Sequence, residues 1–209
     1  MVRIKEMPYH EKYAQMLDNM KFDDAFITPF IKKHLGDQAA ADLQRIWQQG
    51  AKAIPEDASF EEKYEVAYSN WIWIARNAYS FIRKRLGEDG IEQFDRAEVE
   101  ALKRKNASPA LFLLTLIRAL LPGSAFMMSA KQMAYKLQWL TPFSTSELTR
   151  HRTVFDIPRC KILDYSDTDD ICMVGCQKTY PMWVAEQFKV EMKFERSGNS
   201  CTCTLAPLG

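Results

Sequence analysis

Histidine is scarce in this sequence, glycine and proline are sparse, and neither sign of charge is in clear excess. The three histidines, His10, His34 and His151, are scattered, which leaves little support for an all-histidine metal site. With 8 glycines and 9 prolines in 209 residues, and 47% hydrophobic residues, the composition is that of a chain able to bury a real core and argues against disorder. A formal net charge of +1 argues against a dedicated nucleic-acid binder, which carries a clear basic excess, and the run Arg83-Lys84-Arg85 is too short to reverse that. No long apolar run is present either. The greasiest segment, Leu111 to Leu121, is interrupted by Arg118 and ended by Pro122-Gly123. It falls short of the roughly 20 apolar residues a bilayer span needs, so a buried helix is the expectation. Phosphate loops, GxGxxG, GxSxG and HExxH are all missing. The opening MVRIKEMPYH has no apolar core of a signal peptide, and the five cysteines are odd in number. Together these predict a cytoplasmic protein with reduced thiols, without membrane or nucleic-acid partners. Oligomeric state is not encoded in any pattern of the sequence.

What is present reads first as helix. Phe22 to Leu35 and Ala39 to Ala53 suit helices, with Gly36 and Gly50 placed to end turns. Ser59 and Glu62 form a capping box ahead of a long periodic run. Along it Tyr64, Tyr68, Trp71, Ala75, Ala78 and Ile82 recur at helical spacing, and Phe60, Ala67, Ile74 and Phe81 widen the apolar face. Core packing is the first reading of its aromatics, although Trp71, Trp73 and Tyr79 are also candidates for lining a small-molecule pocket. Further helices are expected from Arg96 to Lys105, from Pro109 to Leu121 after Ser108, and from Ser124 to Leu140.

The pattern changes at Thr141-Pro142. Ser144 and Glu147 read as a second capping box, Arg152 to Ile157 as a strand, and Cys160 to Leu163 as its extended continuation. Asp167 to Asp170 supply N-cap chemistry for a helix from about Ile171, broken or restarted at Pro181. Val190, Met192 and Phe194 alternate with charged residues, Ser197 to Ser200 turn, and Cys201, Cys203 and Leu205 alternate with threonines, which predicts a hairpin. The expected class is α+β: a helical N-terminal layer, residues 1–143, packed on a small antiparallel sheet within an α/β region, residues 144–209.

All five cysteines fall between Cys160 and Cys203. Cys172 and Cys176 share one face of the predicted helix, and Cys201 and Cys203 share one face of the predicted strand. Three readings remain open. A thiolate near a helix N-terminus, as at Cys172, can act as a nucleophile. Cys172, Cys176, Cys201 and Cys203 together can hold a metal, although neither CxxxC nor CxC is the usual knuckle. Each can also be a small buried apolar residue. Arg159 and Arg152 offer cations for a carboxylate, and Tyr180 and Glu186 a proton donor and a base. His151 can activate a thiol only if it folds inward.

The C-terminal segment carries an IPRC element, then DDICMVGCQKTYP, then SGNSCTCTL. In this order it resembles the L-2-amino-thiazoline-4-carboxylic acid hydrolase-like family over roughly residues 150 to 206. It is also similar in outline to the vinyl-reductase-type small-molecule-binding domain associated with bacteriochlorophyll synthesis. The family's midway cysteine then falls on Cys172 or Cys176 and its hairpin cysteine on Cys201. Asn199 stands where that family usually has an acidic residue, and Cys203 where it has an aromatic. The resemblance implies a hydrolase opening a non-peptide C–N or C–S bond in a small sulfur- and nitrogen-containing ring that bears a carboxylate. Cys176 or Cys172 would be the thiolate or base, Tyr180 the acid, and Arg159 or Arg152 the carboxylate partner, with Cys201 and Trp71 lining the substrate and no cofactor. A non-catalytic small-molecule or tetrapyrrole-binding domain, or a metal-binding accessory protein, are the alternatives.

Overall fold

The computed structural model describes residues 4–208; residues 1–3 of the N-terminal stretch read for a signal peptide, and residue 209, lie outside it. The fold is α+β. In chain order come α1 (Tyr9–Leu35), α2 (Asp37–Gly50), α3 (Phe60–Lys105), α4 (Pro109–Leu120), α5 (Pro122–Lys136) and a 3-10 turn (Leu137–Trp139). There follow β1 (Ser144–Leu148), β2 (Thr153–Ile157), α6 (Lys161–Tyr165), a π-helical segment (Ile171–Thr179), α7 (Tyr180–Phe188), β3 (Val190–Ser197) and β4 (Ser200–Pro207). The chain forms two compact units. A helical unit comprises residues 7–97 and 162–172, and a sheet unit comprises 4–6, 98–161 and 173–208.

In the helical unit the capping box forms as its spacing requires. The Ser59 amide donates to Glu62 Oε2 at 2.9 Å, and the Glu62 amide donates to Ser59 Oγ at 3.3 Å, so orphan donors at the start of α3 are satisfied reciprocally. Tyr64, Ala67, Tyr68, Trp71, Ala75, Ala78, Phe81 and Ile82 are all buried, while Phe60 stays exposed and Ile74 half-buried. Gly87, at φ 70°, kinks α3 where a side chain would be strained. A second helical run follows at once, so the break falls at Gly87 and the second helix starts ahead of the expected Arg96. Beyond the kink, Phe94 packs on Phe26, Phe30 and Tyr79 with ring centroids 5.1 to 5.6 Å apart.

Two indoles join α2 to α3. Trp47 Nε1 donates to the Ile74 carbonyl at 3.2 Å, and Trp73 Nε1 donates to the Ile46 carbonyl at 3.1 Å. Gly50 makes room for this: a Cβ there would meet the Trp73 ring at 2.0 Å. Its role is close approach as much as helix ending. Helix α1 starts at Tyr9, well ahead of the expected Phe22, on extended backbone at Pro8, and it buries Met16 as well as Ile27, Phe30 and Ile31.

The sheet unit holds an antiparallel sheet in the order β1-β2-β4-β3. Phe155 faces Cys203, and Cys203 faces Phe194, across β2-β4 and β3-β4. The hairpin turns at Gly198-Asn199, with Ser197 opposite Ser200. Its inner face, with Phe155, Met192, Cys203 and Leu205, packs against Phe126, Ala130 and Ala134 of α5 and Val184 of α7.

Three expectations fail here. Ser144 and Glu147 cap no helix; they lie in β1, which pairs with β2 through a bulge between Thr145 and Glu147. The span from Cys160 to Leu163 does not extend the sheet, because Pro158 ends β2 and the chain turns into α6. Helix α4 forms behind its Ser108 cap, yet no described side chain of it is buried. Leu113, Leu116, Leu120 and the adjoining Leu121 are 57%, 50%, 80% and 59% exposed.

Candidate functional site

The residues singled out from the sequence fall in both units. Trp71 and Cys172 belong to the helical unit; Arg152, Arg159, Cys176, Tyr180 and Cys201 belong to the sheet unit. Trp71 is buried and its Nε1 donates to Asp23 Oδ2 at 2.9 Å, so its polar edge is committed to the core. Asp167 and Asp170 accept ion pairs from Arg76 and Arg83 of α3, where the sequence suggested helix caps.

The predicted cysteine-bearing helix is π-helical through Ile171–Thr179 and becomes α-helical only at Tyr180. Pro181 gives the physical reason. It has no amide to donate, and in a regular α-helix its ring would press on the Gln177 carbonyl one turn back. A wider turn ahead of it relieves that clash. Cys172 and Cys176 are both buried on this segment.

The other thiols are also mostly enclosed. Cys160 is buried, and its amide donates to the Asn199 carbonyl at 2.7 Å, tying the end of β2 to the hairpin turn. Cys203 lies in the core between the sheet and α5, where burial pushes its thiol pKa up to about 12, with Cys201 adding to the shift. That suits an inert apolar neighbour and opposes a thiolate. Cys201 is half-buried, with its sulfur 3.8 Å from the Thr202 carbonyl oxygen. Among the described residues all five cysteines remain thiols, and no group of three or more His, Cys, Asp or Glu side chains is placed to hold a metal ion.

The helpers are more open. Arg152 is exposed, with Nη1 3.7 Å from Glu147 Oε2, so a carboxylate already stands beside it. The Arg159 side chain is exposed. Tyr180 is half-buried against the sheet core, its ring edge-on to Trp183 at 6.2 Å. Glu186 pairs with Lys103 at 2.9 Å on the surface, and His151 is an exposed turn residue.

The sheet unit also contains a hollow that the sequence reading did not single out. It encloses about 480 Å³ between the end of α3, α4 and α5. Leu111, Leu114 and Ile117 of α4, Met128 of α5 and Phe188 contribute apolar lining, and Lys105 and Lys136 are the cationic residues of that lining. None of the described lining residues is acidic. Arg118 fixes one side by donating to the Phe188 carbonyl at 2.6 Å, which joins α4 to the end of α7. Apolar walls with cations and no acid in the described lining are the chemistry a mostly apolar anion would require. A signal for it does exist in the sequence: no Asp or Glu occurs between Ala101 and Ser146.

Comparison with family models, with curated proteins and with solved structures finds no match for this chain.

Proposed function

We propose that this protein binds a small, largely apolar molecule bearing a carboxylate, in the hollow between α4 and α5. The observation that carries this reading is the pairing of apolar walls with Lys105 and Lys136 and the absence of acidic residues among the described lining. A volume of about 480 Å³ suits a metabolite-sized ligand. Both lysines are exposed, so a lysine–carboxylate contact there serves chiefly to orient the ligand. Five unlinked thiols fit a reducing, cytoplasmic setting.

Calorimetric titration with decanoate tests the reading. Binding is expected, with loss of at least about tenfold when Lys105 and Lys136 are both changed to Met, and weaker binding of uncharged decanol. Equal affinity for acid and alcohol, unaffected by the double substitution, would contradict it.

A second reading keeps the hydrolase that the C-terminal resemblance implies, and the π-helical placement of Cys176 favours it, since such turns concentrate at functional sites. Here Cys176 supplies the thiolate or base, Tyr180 the proton, and Arg159 or Arg152 the carboxylate contact, all within the sheet unit. The assay is consumption of 2-amino-thiazoline-4-carboxylate, abolished by Cys176→Ser if the thiol reacts. Absence of turnover by the intact chain would rule this reading out.

A further inference from the structure

The apolar stripe of α4 lies in a stretch of sequence whose charges are all positive, and its Leu113 lines the hollow together with Lys105 and Lys136. Leu113, Leu116 and Leu120 are spaced three and four apart, so they form one line along the helix, and all are at least half exposed. Leu121 and, on α5, Met128 extend the patch, being 59% and 53% exposed. Next to Met128 on the same face of α5 lie the exposed Lys131 and Gln132, with Lys136 farther along.

Charge is distributed unevenly in this nearly neutral chain. Between Ala101 and Ser146 there are six cations, Lys103, Arg104, Lys105, Arg118, Lys131 and Lys136, and no acidic residue. The remainder is therefore net acidic, with 22 Lys and Arg against 27 Asp and Glu. Glu100 and Glu186 neutralise Lys103, and Arg118 is turned to the Phe188 carbonyl. Arg104, Lys105, Lys131 and Lys136 are the exposed cations.

We infer that α4 docks the protein on an anionic lipid surface, with its leucine stripe lying in the interface and the flanking cations on the headgroups. No helix among the described residues is long and apolar enough to cross a membrane, so the attachment is peripheral. Exposed leucines beside basic residues are what a helix lying in the plane of an anionic bilayer requires. Self-association fits less well, because a two-fold pairing of this face would set cations against cations. Lipid docking departs from the expectation of no membrane partner, which rested on the lack of a spanning segment. Leu113, Met128, Lys105 and Lys136 also line the hollow, so the test uses Leu116, Leu120, Arg104 and Lys131, which do not.

The test is sedimentation of the full chain with vesicles of phosphatidylcholine alone or with one third phosphatidylserine. Binding is expected to the anionic vesicles only, and to weaken at high salt. Leu116→Ser with Leu120→Ser should lower it more than about tenfold, since each buried CH₂ contributes to insertion. Arg104→Gln with Lys131→Gln should lower it roughly 30-fold, at about fivefold per cation. Both variants change exposed side chains, and unchanged circular dichroism and melting verify their folds. Absence of binding to anionic vesicles would overturn the inference, as would equal binding to neutral ones or indifference to the leucine pair. A wild-type dimer that the leucine pair dissolves would assign the face to a second copy instead.

Discussion

Helices α3 and α4 are both rich in apolar residues, and the chain uses them in opposite ways. The first half of α3 separates its apolar positions from polar ones and buries them from Tyr64 to Ile82. Helix α4 has little polar surface to separate and leaves its leucines outside. Hydrophobic content alone therefore does not assign a helix to the core. What assigns it is what packs against each face, because an apolar face is buried only where another element covers it. The leucines of α4 are left outside in a region whose charges are all positive, and that combination gives the exposed surface a use.

Substitutions separate the two cases by size. Ile82→Ala in α3, at a fully buried position, should cost about 2–5 kcal/mol by chemical unfolding, through lost apolar burial and the cavity left behind. A cost below about 1 kcal/mol would break the comparison. Gly50→Ala should cost about 1–3 kcal/mol, because the added methyl meets the Trp73 ring and parts α2 from α3. Trp73 fluorescence in that variant reports the displacement.

Cys203 extends the comparison to charge. Its folded pKa is raised by burial to about 12, above the ordinary thiol value, so folding favours the protonated form. The stabilisation is fully present below the unfolded thiol's pKa, about 8.5 to 9, and is lost as pH rises from there through the folded value. Melting temperature should fall over that range, and fall less steeply in Cys203→Ala than in the wild type. Parallel curves would contradict the assignment. Smaller again is Thr153→Val. The Thr153 hydroxyl in β2 is fully buried without a hydrogen-bond partner, so removing it should stabilise the fold by about 1 kcal/mol in the same unfolding assay. Smallest is Leu120→Ala in α4, expected within about 0.5 kcal/mol of wild type because little there is buried.

Legibility in the sequence followed the same division. The capping box at Ser59 and Glu62, the apolar face of α3 and the alternation of β3 and β4 are local patterns, and each appears in the fold as its spacing requires. Strand β1 was read as a helix start because Ser144 and Glu147 have the spacing of a cap; pairing with β2, a tertiary contact, decides otherwise. The π-helical turn at Ile171–Thr179 depends on Pro181 lying downstream, and helical periodicity does not reveal it. Nor does composition mark the division between the two units at Ala97 and Glu98. Cys172 and Cys176 lie on a helix and Cys201 and Cys203 on a hairpin strand, as their spacing predicts, whereas Cys160, expected on a strand, lies between β2 and α6. Their burial depends on what packs over them, which the spacing does not contain. The hollow beside α4 joins residues from the end of α3, two further helices and Phe188, so no single stretch announces it.

Hydrogen exchange of the unaltered protein, with and without anionic vesicles, tests the central claim most directly. In buffer, amides within 109–120 should exchange faster than those within 64–82, because packing shields the second set more fully. Vesicles containing phosphatidylserine should then slow exchange in 109–120 and leave 64–82 unchanged. Exchange in α4 as slow as in α3 in buffer, or no response of α4 to the vesicles, would contradict the account.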